Sequence, residues 1–175
     1  MKRAIIFWDY SNFHATLSQL THGEWPESKK FDYKKFVDAL ANGMDLIKVY
    51  FACSSAPEAG KAQQNFYDWV DRQAFFYVKQ FDRRQHSDGV NREKQVDVYL
   101  ATQIVALAYE DAYDVAILIS GDEDFVPAIE IAQQKGKVIQ AVATAINLSD
   151  ELKRKADRVA FIDKPGDLNF TNFLM

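Results

Sequence analysis

Short apolar runs rich in β-branched and aromatic residues punctuate this chain at Ala4 to Trp8, Leu46 to Ala52, Val115 to Ser120 and Val138 to Ala143. Two weaker runs cover Phe76 to Phe81 and Val159 to Ile162. Near-continuous apolarity, as opposed to alternation, is the pattern of strands buried on both faces of a parallel sheet. Between these runs, apolar positions recur at helical spacing. Phe36, Val37 and Leu40 follow a capping Asp32 and precede Gly43, a helix stop. Ala62, Phe66, Trp69 and Val70 mark a helix starting near Ser55 and Pro57. Val96, Leu100, Ile104 and Leu107 predict a longer helix from Arg92 to Tyr109. Ile129 and Ala132 lie on another, closed by Gly136, and a last helix opens at Ser149 with Leu152 and Ala156. Strands alternating with helices predict an α/β fold, a three-layer α/β/α sandwich around a mostly parallel central sheet. Residues 1–164 read as one domain and residues 165–175 as a C-terminal tail, whose Phe170, Phe173 and Leu174 can dock on the core.

Composition narrows the class. With 175 residues, 48% of them hydrophobic, the chain is long and apolar enough to bury a core without disulfides or metal staples. The longest uninterrupted apolar run, Ile104 to Tyr109, falls far short of the roughly 20 residues that cross a bilayer, so no membrane is expected. A single cysteine, Cys53, forms neither an internal disulfide nor a cysteine metal cage, which points to a reducing, cytoplasmic setting. The net charge of −4 argues against a globally basic nucleic-acid binder and leaves room for a local basic rim.

Ligands of open α/β sheets bind beyond the carboxyl ends of the strands, where the strand order reverses. The first strand runs directly into Asp9-Tyr10-Ser11-Asn12, and the strand VAILIS runs into Gly121-Asp122-Glu123-Asp124. If these strands are neighbours, Asp9 and Asp122 converge at one sheet edge. Asp124 then opens the next helix, and Asp97 approaches from the first turn of its own helix. Each of these aspartates has an ordinary alternative as a helix cap, a turn residue or a first-turn charge. Two acidic strand ends that meet favour a cation site instead. All-oxygen donors select Mg²⁺ or Mn²⁺ over zinc, and such ions serve phosphoryl chemistry.

The segments WDYSNF, KQVDVYLATQIV, LISGDEDFVPAI and LSDELKRKADRVAFID, in this order, resemble the NYN domain, in the LabA-like branch of the PIN-like nucleases. The resemblance runs from Arg3 to Asp163, and SGD-x-DF after a buried strand is its most specific element. It implies a PIN-like, Rossmann-like topology and an acidic Mg²⁺ or Mn²⁺ site that cleaves RNA. Carried across by motif, Asp9, Asn12, Asp97, Asp122 and Asp124 match the family's active-site positions. Asp9, Asp97 and Asp122 are then expected to hold the metal. Asp124 binds it through water or orients the attacking water, and Asn12 positions a ligand or phosphate. One departure is Gln103, where many relatives carry a further acidic residue.

An RNA backbone entering such a site needs cations at its rim, which makes Arg92 and Lys94, then Arg83 and Arg84, the candidate contacts. Ser11 is expected to cap the helix after the first strand, with contact to a phosphate as its second reading. The three histidines lack metal-ligand spacing, so zinc is not expected. Cys53, Trp8, Phe66 and Trp69 read as core, and Trp25 lies in a polar loop. A haloacid-dehalogenase-type phosphatase needs a second aspartate two positions after its nucleophile, where Ser11 stands. A dinucleotide enzyme lacks its Gly-x-Gly-x-x-Gly. Two readings remain: a metal-dependent ribonuclease, or a catalytically weak NYN domain that binds RNA or a protein partner, with a homo-oligomer also open.

Overall fold

The computed structural model of the chain describes residues 1–23, 31–55, 60–82, 94–166 and 168–175. Six strands form its sheet: β1 (Arg3–Asp9), β2 (Asp45–Ser55), β3 (Phe76–Asp82), β4 (Val115–Ile119), β5 (Val138–Ala143) and β6 (Arg158–Phe161). They lie in the order β3-β2-β1-β4-β5-β6, with every neighbouring pair parallel. The order reverses between β1 and β4, which places the expected crevice between their carboxyl ends.

Both sheet faces are covered, which explains the unbroken apolarity of β1. Ala4, Ile6 and Trp8 join a core with α1 (Tyr10–Leu20), α2 (Tyr33–Leu40) and α3 (Lys61–Asp71). Ile5 and Phe7 join the opposite core with α4 (Lys94–Tyr109), α5 (Val126–Gln134) and α6 (Asp150–Lys155). Trp8 anchors the first core, fully buried, with its ring 5.0–5.7 Å from those of Phe13, Tyr33, Phe36 and Phe51. Asp32 caps α2 by accepting from the Lys35 amide, and Ser149 caps α6 by accepting from that of Leu152. Leu168, Phe170, Phe173 and Leu174 pack onto the first core. Phe173 is buried against Phe31 and Phe36, and the Asp32 amide donates to its carbonyl at 2.8 Å.

Three local expectations are corrected. Ser55 does not start a helix; it ends β2, where Gln80 Nε2 donates to its hydroxyl at 2.8 Å, and α3 begins only at Lys61. Trp69 is not core, because Tyr67 and Val70 are the residues of α3 turned to the sheet, which leaves its indole 46% exposed over Phe66. Ser11 is not the cap of α1. Asp9 takes that role, and the Ser11 hydroxyl instead bonds Ser54 Oγ at 3.0 Å and accepts from the Ser54 amide. Among the described residues no helix is long and apolar enough to cross a membrane.

Candidate functional site

Because β1 and β4 pair with Trp8 beside Ile119, the chain leaves the sheet at Asp9 and at Ser120 side by side. Asp9 is 97% shielded from solvent: its relative exposure is 3%. One carboxylate oxygen accepts from the Asn12 amide at 3.0 Å, closing the first turn of α1. The other accepts from the Ser120 hydroxyl at 3.4 Å, and Ser120 Oγ in turn accepts from the Asp122 amide at 3.3 Å. A short relay thus ties the end of β1 to the turn after β4. Asp122 Oδ1 accepts from the Asp124 amide at 2.9 Å, which caps a 3-10 turn over Glu123–Phe125 leading into α5.

Asp97, in the first turn of α4, comes to the same place. Asp97, Asp122 and Asp124 each offer a carboxylate oxygen, and these oxygens lie within 4.8 Å of one another. Asp97 and Asp122 are half-buried and Asp124 is exposed, so the group opens outward. Like charges at this separation repel, and a hard divalent cation with oxygen ligands relieves the repulsion. The donor set fits Mg²⁺ or Mn²⁺ and not zinc.

Asp9 lies inward of the three. Burial above all, with the like charges of Asp97 and Asp122, pushes its carboxyl up to about 7 against the lowering effect of the Asn12 and Ser120 hydrogen bonds. The folded-state value is above the unfolded one, so the native chain holds an extra proton between about pH 4 and pH 7. Stability is therefore fully present below that window and falls as pH rises through it. Asp9→Asn keeps a capping oxygen and removes the charge. In EDTA at pH 8 this variant should melt several degrees above wild type, with near parity at pH 4, as thermal melts at both pH values would show. An equal difference at both pH values would contradict a raised Asp9.

The neighbouring loop supplies a residue that the sequence reading missed. Asn147, between β5 and α6, donates from Nδ2 to Asn12 Oδ1 at 2.6 Å and to Thr16 Oγ1 at 2.8 Å. The Ser149 amide donates to the Gly121 carbonyl at 2.9 Å. Neither contact has a local signal, since Asn147 and Asn12 are 135 residues apart. Arg83, Arg84 and Arg92 lie outside the described residues, as do Trp25 and the side chain of Lys94. Cys53 is fully buried, and burial pushes its thiol up to about 12, which suits an inert core residue.

The sequence pattern of the NYN domain matches residues 3–163. Among solved structures, a protein of unknown function from Vibrio parahaemolyticus superimposes with a TM-score of 0.78 at 22% identity. The match covers 99% of this chain and 96% of that one, and it establishes likeness of fold. No curated relative matches the chain.

Proposed function

Because the chain belongs to the NYN domain family, part of the PIN-like nuclease superfamily, we propose that it is a LabA-like ribonuclease that hydrolyses RNA phosphodiester bonds with Mg²⁺ or Mn²⁺. The observation that carries this reading is the meeting of the Asp97, Asp122 and Asp124 oxygens at the strand-order reversal. These carboxylates, with Asp9, would hold the cation, which would supply charge neutralisation at the phosphate and a lowered pKa for attacking water. Asp122 is held for this task by its own turn, through its bonds to the Asp124 amide and to Ser120 Oγ. Asp124, the most exposed of the cluster, orients the attacking water. Asn12, one helical turn past Asp9, positions a phosphate oxygen. Water is the nucleophile, so no covalent intermediate is formed. Ser11, Arg83, Arg84, Arg92 and Lys94 belong to the RNA path in this reading, the cations meeting phosphates.

The test is incubation with mixed structured and single-stranded RNA, in Mn²⁺ or in EDTA. Cleavage products are expected only with Mn²⁺. Mn²⁺ should also raise the melting temperature, because a ligand of the native state alone stabilises it by RT ln(1 + [L]/Kd). RNA binding without Mn²⁺-dependent cleavage would instead favour the binding module.

A further inference from the structure

The side-chain amide of Asn12 has two possible orientations, and the bonds around it select one. Thr16 Oγ1 lies 2.9 Å from the Asn12 main-chain carbonyl, which only accepts, so the single hydroxyl proton of Thr16 is spent there. Toward Asn147, Thr16 is therefore an acceptor, and the Asn147 group facing it at 2.8 Å is the NH₂. That same NH₂ lies 2.6 Å from the Asn12 side chain, which must present its oxygen. The Asn12 Nδ2 group is left on the far side of its amide. No hydrogen bond among the described residues engages it.

The place of Asn147 is equally constrained. A Cβ built on Gly121 would lie 3.1 Å from Asn147 Cγ, so this side chain sits against the residue just before Asp122. It reaches from there to Asn12, whose main-chain amide donates to the capping carboxylate of Asp9. One side chain thus lies between α1, which Asp9 caps, and the turn that carries Asp122 and Asp124.

We infer that Asn147 is a positioning residue of this site, holding the Asn12 amide so that its Nδ2 donates to a non-bridging phosphate oxygen of the RNA. The inference rests on the ribonuclease reading above and adds a residue to it. Removing Asn147 frees the Asn12 amide to rotate, so the phosphate meets a donor only part of the time. Asn147→Asp acts more sharply. Its carboxylate only accepts, which turns Asn12 Nδ2 away from substrate and toward residue 147 at almost unchanged side-chain size.

A double-mutant cycle with Mn²⁺ tests the role. Asn12→Ala and Asn147→Ala should each lower kcat/KM by about tenfold, and the double variant should be no worse than Asn12→Ala alone. Losses that multiply would show a structural contribution independent of Asn12 and overturn the inference. A folded Asn147→Asp protein should match the Asn12→Ala loss; wild-type activity in it would also overturn the inference. A second readout needs neither metal nor turnover. In the metal-free protein, side-chain amide NMR should show the Asn147 NH₂ protons protected from water exchange and those of Asn12 unprotected. Asn147→Ala should shift the Asn12 NH₂ resonance, and an unmoved resonance would overturn the positioning whatever the cleavage data say. A wild type that cleaves no RNA while these spectra behave as expected would overturn the ribonuclease reading and the phosphate contact, with the Asn147–Asn12 geometry left standing.

Discussion

Asp122→Asn should lower Mn²⁺-dependent RNA cleavage by about a hundredfold or more while the metal-free protein melts at or above the wild-type temperature. The two halves of this result have separate causes. Asparagine retains Oδ1, so the bond from the Asp124 amide at 2.9 Å and the 3-10 turn that it caps survive. What is lost is one negative charge from three oxygens grouped within 4.8 Å. In the metal-free chain that loss removes a repulsion on Asp97 and on the buried Asp9, which favours the folded state. With a cation present it removes a ligand charge, so affinity falls and less of the several kcal/mol of transition-state stabilisation is available. The Mn²⁺-induced rise in melting temperature should shrink in parallel. Unchanged cleavage by a folded Asp122→Asn protein would show that this cluster is not where RNA is cut.

Among the described glycines, Gly121 is the one where an added methyl meets backbone, so Gly121→Ala should lower the melting temperature by roughly 10 °C and cleavage with it. A Cβ at this position would lie 2.2 Å from the Asn147 carbonyl oxygen and 2.6 Å from its carbonyl carbon. These are backbone atoms and cannot swing aside as a long side chain would. The backbone φ of Gly121 is not in the left-handed region, so the requirement is one of space alone. To admit the methyl, either the 144–149 loop or the turn before Asp122 must move. Moving the loop strains the Ser149-to-Gly121 bond, the two Asn147 side-chain bonds and the tie from the Ala145 amide to Asp163. Overpacking of about 1–3 kcal/mol and lost hydrogen bonds of about 1 kcal/mol each then add. At roughly 2–4 °C per kcal/mol for a chain this size, the shift is readily measured. A melting temperature within a degree of wild type would mean that the two loops are not packed as described.

The sequence by itself determined the layered architecture and the residues of the acidic cluster. An unbroken apolar run such as Ala4 to Trp8 has one economical explanation, burial on both faces, and helices of the lengths seen between such runs force a parallel sheet. Asp9 and Asp122 were legible because they follow such runs directly, and Asp97 because it opens a strongly periodic helix. Local chemistry also carried the caps at Asp32 and Ser149, where a short polar side chain precedes the helix. Only tertiary structure decided that β1 and β4 are neighbours, since strand order depends on which helices fit which face. That adjacency brings Ser120 to Asp9, and the burial it creates raises the Asp9 carboxyl. Ser11 and Trp69 were misread for the same reason. A hydroxyl near a helix start and an aromatic at apolar spacing each have a local interpretation, and the actual partners, Ser54 across the sheet edge and solvent beside α3, are set by packing. The contact of Asn147 with Asn12, and the room that Gly121 leaves for it, join residues far apart along the chain. No periodicity or spacing encodes such a contact, because it exists only once α1 and the loops after β4 and β5 meet at one edge of the sheet.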